Sequence, residues 1–190
     1  MKKIFLPFAS AFLAYQLYAI VAGLWLGEFA NMPLGGELLM AFCIALFGTG
    51  IFAFIGFAYP TSKLIGSSYY RLKNTERLQL WYRRLGVACF KKLLLLFFWG
   101  SRKNRKKYFN GTRTGIENFI YQTHQSEFGH LGALILVFIA NVLALLKGQY
   151  AISIFLFGIN IVGNLYPIIL QRHHRIRLGR FIRNLKSQAL

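Results

Sequence analysis

Four long apolar stretches dominate the pattern of hydrophobic and polar positions along this chain. They contain no Asp, Glu, Lys or Arg, and they run over residues 4–26, 38–59, 128–146 and 150–170. A helix rises about 1.5 Å per residue, so about 20 residues cross the hydrocarbon core of a bilayer. The pattern therefore predicts four transmembrane helices.

Short connections join these stretches in pairs. Residues 27–37 join the first stretch to the second. They include Pro33, and their only charged residues are acidic. Lys147-Gly148 joins the third stretch to the fourth. Connections this short place consecutive helices antiparallel. Small residues in the second stretch allow close helix packing, namely Gly48, Gly50 and Gly56. We therefore predict an all-α integral membrane protein, with four transmembrane helices in two hairpins and a cytoplasmic or interfacial helical segment between them.

The stretch between the two pairs, residues 60–129, is basic and aromatic, and the tail, residues 171–190, is basic as well. A helix from Arg77 has one apolar face, formed by Leu78, Trp81, Tyr82, Leu85, Cys89, Leu93 and Leu96. Its other face carries Arg83, Arg84 and Lys91, a pattern typical of a helix lying in the membrane interface. The apolar run Leu93–Trp99 is too short to span a bilayer, which takes about 20 residues.

Composition and charge narrow the class of protein. Hydrophobic residues make up 56% of the 190 residues and aromatic ones 17%, more than an ordinary soluble domain carries. The net charge of +18 does not indicate a nucleic-acid partner, because the charges flank apolar stretches. Anionic lipid headgroups are the expected partners of such charges.

The positions of Lys and Arg predict the orientation. All 23 of them except Lys147 fall on one side if both termini and residues 60–129 face the cytoplasm. This is the distribution that the positive-inside rule requires. We therefore predict a multi-pass protein with both termini cytoplasmic.

The cysteines and paired histidines predict neither a disulfide nor a metal site. Cys43 lies in an apolar stretch and Cys89 in the basic one, and neither has a nearby Cys or His partner in sequence. His173 and His174 are adjacent, so on a helix their side chains diverge, and no carboxylate is near them in sequence, which favours an interfacial surface over a metal site. We expect no metal and no bound cofactor.

Candidate chemistry lies where the basic stretch meets the third apolar stretch. Glu127 and His130 are three residues apart, so on a helix they share a face. A carboxylate can orient an imidazole so that the imidazole takes a proton from an alcohol, the general-base step of acyl transfer. His124 is close enough to join them. The alternative is that these are polar residues at the membrane boundary, satisfied by headgroups and water.

A polar stripe runs along the fourth apolar stretch. Its members follow at helical spacings of three and four, namely Asn160, Gly163, Asn164, Pro167 and Gln171. Pro167 cannot donate to the carbonyl of Gly163, so a neighbour or water must satisfy that acceptor. The stripe either links helices or holds a substrate headgroup. The basic run Arg102–Lys107 likewise either contacts lipid and water or binds phosphates.

An ordered set of motifs resembles the glycosyl-diaponeurosporenoate acyltransferase family. The resemblance covers roughly Tyr59 to Leu178, and these segments carry it: Tyr59-Pro60, Tyr69-Tyr70-Arg71-Leu72-Lys73, Glu76, Tyr82 to Val87, Phe90 to Leu93, Glu127 to His130, Asn164 to Arg172, Arg175 and Arg177-Leu178. The block from Asn164 to Arg172 is the most specific of them. Members are small multi-span membrane proteins of bacterial carotenoid pathways, associated with esterifying the sugar of a carotenoid glycoside with a fatty acyl chain.

The resemblance implies a membrane acyltransferase in the bacterial inner membrane. In that interpretation His130, oriented by Glu127, deprotonates the acceptor's hydroxyl, and acyl-CoA or another acyl donor is the co-substrate. Arg71, Lys73 and Arg172 hold the donor's phosphates. Asn160, Asn164 and Gln171 bind the lipid-like or carotenoid acceptor.

A non-enzymatic function also fits the sequence. A small membrane subunit could use its apolar helices and basic face to anchor or assemble a larger complex with membrane protein partners, and to bind anionic lipid or pigment. An enzyme requires Glu127, His130, Asn160 and Asn164 to converge on one cavity, whereas a subunit can use them as interhelical bonds.

Overall fold

The computed structural model describes residues 2–29, 31–97 and 113–188. Those residues form helices and connecting turns without any strand. The helices are α1 (Lys2–Leu26), α2 (Leu34–Ala58), α3 (Ser67–Tyr70), α4 (Thr75–Arg84), α5 (Val87–Phe97), α6 (Arg113–Leu146), α7 (Tyr150–Asn160) and α8 (Tyr166–Gln188). A 3₁₀ turn (Thr61–Leu64) precedes α3, and a π-helical turn (Ile161–Leu165) joins α7 to α8.

The predicted four-span, all-α membrane fold is confirmed. In the part of the chain that the structure describes, four helical stretches are long and apolar enough to cross a membrane, namely Lys3–Leu26, Leu34–Ala58, Gly115–Leu146 and Tyr150–Ile182. The last two extend well beyond the predicted stretches. The apolar run marks the part of each helix that fits lipid, while polar residues continue the same helix.

Met1–Ser62 and Phe128–Pro167 form one compact unit, called here the apolar unit. Its core joins side chains of α1, α2, α6 and α7, and Ile44, Val137, Ile152 and Leu156 are fully buried in it. Close approach at glycines is confirmed at two of the predicted positions. A Cβ on Gly48 would lie 2.8 Å from Cγ2 of Val137, and one on Gly50 would meet Leu13.

The described residues of Lys63–Glu127 and Ile168–Leu190 form a second unit, called here the basic unit. Its buried core consists of Tyr82 and Val87 from the central stretch with Leu170 and Ile176 from α8. The central stretch and the C-terminal helix therefore fold together, although the sequence predicted them as separate segments.

The predicted single helix from Arg77 is wrong. The structure has two helices, α4 and α5, that break at Leu85 and Gly86. Gly86 has a φ of +67°, a left-handed conformation that glycine adopts without steric cost. The break lets Tyr82 and Val87 both enter the core, while Trp81 and Leu85 stay exposed.

The fourth apolar stretch departs from α-helical geometry around Gly163, whose carbonyl Pro167 cannot satisfy. Ile161–Leu165 forms one π-helical turn that ends two residues before Pro167. Proline has no N–H to donate to the carbonyl four residues earlier, so the regular pattern of helix bonds is interrupted there. The predicted tail from Gln171 is not a separate segment, because α8 continues to Gln188. The basic run Arg102–Lys107 lies outside the described residues.

Candidate functional site

A chain of buried amides crosses the apolar unit at its π-helical turn. Asn164 Nδ2 donates to Asn160 Oδ1 at 2.9 Å, and Asn160 Nδ2 donates to the backbone oxygen of Leu134 at 3.1 Å. Both side chains are buried, with 1% of Asn164 and 4% of Asn160 exposed. Because the Leu134 oxygen can only accept, the direction of the chain is fixed, and Asn164 Oδ1 points away from Asn160.

That oxygen faces His130. His130 Nδ1 lies 3.2 Å from Asn164 Oδ1, and Thr49 Oγ1 lies 3.2 Å from the same oxygen. An amide oxygen accepts but cannot donate, so Nδ1 carries the hydrogen of the neutral ring. Nε2 is then the nitrogen that can take a proton.

The backbone at the π-helical turn lies beside this ring, with Gly163 within hydrogen-bonding reach of His130. The sequence predicted that a neighbour must satisfy the Gly163 carbonyl, because Pro167 cannot. Asn164 Oδ1 is an acceptor, so it also stabilises the imidazolium that forms once Nε2 has taken a proton.

A buried ion cluster lies in the basic unit. The Glu127 side chain is fully buried, Arg172 Nε donates to its Oε1 at 2.7 Å, and Arg175 Nη2 donates to its Oε2. Both carboxylate oxygens are therefore engaged by guanidinium groups. Arg175 is also nearly buried, with 7% of its side chain exposed. A buried carboxylate needs such partners, because an unpaired charge away from water is strongly destabilising.

Aromatic rings surround this cluster. The Arg172 guanidinium lies 5.1 Å from the Tyr69 ring and that of Arg175 lies 5.9 Å from the Tyr70 ring. Tyr70 stacks on His124 at 4.1 Å. Burial, and then the Glu127 charge, raise the pKa of Tyr70 to about 12, so its hydroxyl stays protonated at neutral pH. The Tyr-Tyr motif and the arginines of α8 thus meet around one carboxylate.

The structure places the predicted catalytic residues with partners other than each other. Glu127 bonds to Arg172 and Arg175, and His130 bonds to Asn164. The catalytic roles of Glu127 and His130 stay predictions. The contact found for His130 indicates that Asn164, rather than Glu127, orients its ring.

The predicted binding residues divide between the two units. Asn160 and Asn164 belong to the amide chain of the apolar unit. In the basic unit Gln171 Nε2 donates to Ser126 Oγ at 3.2 Å, and Arg172 is engaged by Glu127. Arg71 and Lys73 lie exposed on that unit. Their binding roles stay predictions as well.

Two residues of these sites were not among the predicted ones. Arg175 follows Arg172 by three residues, and that helical spacing places both on the face toward Glu127. Thr49 is a hydroxyl between two glycines of an apolar helix, which was the sequence indication of a polar contact there. Among the described residues, no group of three His, Cys, Asp or Glu side chains could hold a metal ion.

Comparisons with known proteins identify the family. Neither a curated protein nor a solved structure matches the chain significantly. Residues 66–184 match the family model described as glycosyl-4,4'-diaponeurosporenoate acyltransferase, which covers most of the chain. The matched region includes the Tyr-Tyr motif, Glu127, His130, the amide chain and the arginines of α8. This chain therefore belongs to the glycosyl-4,4'-diaponeurosporenoate acyltransferase family.

Proposed function

We propose that this membrane protein transfers a fatty acyl group from an activated donor to a hydroxyl of a lipid-like acceptor, the sugar of a glycosylated carotenoid. The observation that carries the proposal is the half-buried His130, hydrogen-bonded to the buried amide chain within an apolar unit. Family membership supports the reaction class. Four apolar helices suit a lipid-like acceptor and the fatty acyl chain of the donor, both of which the bilayer solvates.

In the proposed reaction His130 is the general base. Its Nε2 takes the proton of the acceptor hydroxyl while the hydroxyl oxygen attacks the acyl carbonyl carbon of a thioester donor. The new C–O ester bond forms, the C–S bond breaks, and the imidazolium returns the proton to the departing sulfur. A positioned base typically contributes about 10²- to 10⁴-fold to the rate of such a step.

The amide chain would act on the ring rather than on the substrate. Asn164 Oδ1 holds Nδ1–H, which keeps Nε2 directed away from the amide chain and ready to accept a proton. Asn160 holds Asn164 in turn through the 2.9 Å bond. In this proposal Asn164 has the orienting role that the sequence analysis assigned to Glu127, and Glu127 organises Arg172 and Arg175 in the basic unit.

Pigment extracts test the proposal directly. Bacterial cells that make the glycosylated carotenoid are compared with and without the gene, and their pigments are analysed by mass. With the gene, we expect a new species heavier by one fatty acyl residue, which mild alkali returns to the free glycoside. Identical pigment masses, with the protein demonstrably present in the membrane, would contradict the proposed activity.

A purified assay separates the enzyme from a non-catalytic subunit. The protein in detergent receives the glycoside and an acyl thioester and no other protein. Ester formation under these conditions means that the chain itself transfers the acyl group. Esters that form only in cells would instead indicate that it assists another enzyme.

A further inference from the structure

A cationic groove lies in the basic unit, separate from the Glu127 cluster. It is an open groove of about 480 Å³, lined by side chains of α4, α5 and α8. Its cationic and titratable members are Arg83, Lys91, Lys92, His173, Arg177 and Arg180. Ala88 and Leu95 add an apolar wall. The volume is in the range of small-molecule binding sites.

Among the described residues, no acidic side chain lines this groove, although Glu127 is an acidic partner elsewhere in the same unit. The chain has only 5 Asp and Glu residues, and none of them is among the groove residues. Glu127, which could neutralise two cations, is already bonded to Arg172 and Arg175. Like charges that converge without an anion repel one another at a cost in stability. An external anion would remove that cost.

Two local observations indicate that an anion would be stabilised in this groove. Burial, and then the charge of Arg177, lower the pKa of Lys91 below its usual value. His173 Nδ1 is buried and finds no hydrogen-bond partner among the described residues. A buried polar atom without a partner is rare in folded proteins, and a bound ligand is one of the few ways to satisfy it.

We infer that this groove binds the phosphates of the acyl donor, a thioester of coenzyme A, through Lys91, Arg177 and the cations beside them. The inference rests on the proposed acyl transfer, which requires an activated donor. The sequence suggested Arg71, Lys73 and Arg172 for the donor's phosphates. The groove consists of other residues.

The number of charges favours this ligand over a lipid headgroup. Arg83, Lys91, Lys92, Arg177 and Arg180 each carry a positive charge. A phosphomonoester carries about two negative charges near neutral pH, and coenzyme A combines one with a bridging diphosphate. A phospholipid with a single phosphodiester would leave most of the groove's charge unneutralised. Coenzyme A and a phospholipid both present phosphate esters, and the experiment distinguishes these two ligands.

Titration of free coenzyme A into the purified full-length protein in nanodiscs of zwitterionic lipid tests the groove. We expect saturable binding that weakens as salt is added. The double variant Lys91→Gln/Arg177→Gln should bind about tenfold more weakly or worse, because each lost charge removes a charge-assisted hydrogen bond. Lys91→Arg should retain binding. Arg77→Gln is the matched control, since Arg77 is an exposed α4 cation that does not line the groove.

Dephospho-coenzyme A and anionic lipid distinguish the sources of phosphate. Loss of the 3'-phosphate should weaken binding to the wild-type protein and have a smaller effect on the double variant. Equal coenzyme A affinity in the wild-type and in a correctly folded double variant would overturn the inference. So would an absence of coenzyme A binding together with a groove-dependent affinity for phosphatidylglycerol, which would identify a lipid site.

The acyl-transfer assay keeps this inference separate from the proposed function. If esters form but the double variant leaves KM for the acyl donor unchanged, the groove assignment fails and the function stands. If coenzyme A binds through Lys91 and Arg177 but no ester forms with any acceptor, the function fails and the groove remains a phosphate site.

Discussion

Asn164 is the residue whose contacts most constrain His130. Its Oδ1 lies 3.2 Å from His130 Nδ1, and its Nδ2 is held by Asn160. Asn164→Leu removes the acceptor, so we expect the rate of ester formation at saturating substrate to fall by about tenfold or more. Asn164→Asp keeps an acceptor and should retain more activity than Asn164→Leu. The measurement is kcat in the purified assay.

Another buried amide provides the control for Asn164. Asn141 Oδ1 accepts from Ser153 Oγ at 2.6 Å in the apolar unit, away from the amide chain. Asn141→Ala removes a bond of similar kind without touching His130. A fall in kcat as large as that of Asn164→Leu would mean that both act through stability alone.

We expect Glu127 to stabilise the folded state of the basic unit. Its carboxylate is fully buried and bonded to two arginines. Glu127→Ala leaves both guanidinium groups without their anion, so we expect it to lower stability by about 3 kcal/mol or more. The midpoint of thermal unfolding in detergent measures this. Glu117→Ala, at an exposed position of the same helix, should have little effect, and equal midpoints for the two variants would contradict the burial argument.

Residue-scale predictions succeeded where a contact follows from local spacing. The polar stripe was visible because Asn160 and Asn164 are four apart, and the two amides do bond to each other. The Glu127–His130 pair was also inferred from spacing. However, Glu127 lies near Arg172 and Arg175 in space only, and no local rule predicts partners that distant in sequence.

Replacement by alanine should have opposite effects on stability at Gly86, which lies at the break between α4 and α5, and at Gly179 in α8. Gly86 has a φ of +67°, whereas Gly179 lies within α8, and an added Cβ meets nothing within 4 Å at either. Gly86→Ala should therefore destabilise the protein by about 1 kcal/mol through backbone strain alone. Gly179→Ala should stabilise it by up to about 1 kcal/mol, because alanine favours the helix. Thermal unfolding midpoints that shift the same way would contradict this account of the break.

Helix packing in the apolar unit predicts a second contrast. A Cβ on Gly48 would lie 2.8 Å from Val137, while one on Gly158 would meet nothing within 4 Å. Gly48→Val should cost about 1–3 kcal/mol through overpacking, and Gly158→Val should be tolerated. The readout is the fraction of protein that stays monodisperse on heating in detergent. Equal losses would show that Gly48 is not a point of close contact.

At the scale of elements, long apolar runs predicted all four spanning helices, since length and hydrophobicity alone define them. Their ends were harder to predict. Helix α6 begins at Arg113, well before the apolar run at Phe128, because a polar sequence can continue a helix once it packs against other residues. The periodic pattern from Arg77 missed the break at Gly86, since apolar spacing does not reveal a left-handed turn.

At the scale of the whole molecule, the prediction concerns which side of the membrane each connection faces. With Cys43 and Cys89 replaced by serine, single cysteines at the exposed positions Asn31 and Ser67 report the two sides of the membrane. We expect a membrane-impermeant maleimide to label Asn31→Cys in intact cells, and to label Ser67→Cys only after the membrane is opened. Labelling of Ser67→Cys from outside would invert the predicted topology.

The sequence could not predict which segments share a core. The central stretch and α8 meet through Tyr82, Val87, Leu170 and Ile176, and nothing in their local patterns pairs them. The cationic groove depends on that pairing, because its residues come from α4, α5 and α8. Lys and Arg counts could indicate only a basic surface.

His130→Ala in the purified acyl-transfer assay tests the central claim most directly. The variant should fold and stay in the membrane, because Asn164, the partner of His130, keeps its bond to Asn160. We predict that ester formation falls by about 10²- to 10⁴-fold, while coenzyme A binding at the groove is unchanged. Near-full activity of the folded His130→Ala protein would contradict the account and show that this histidine is not the base.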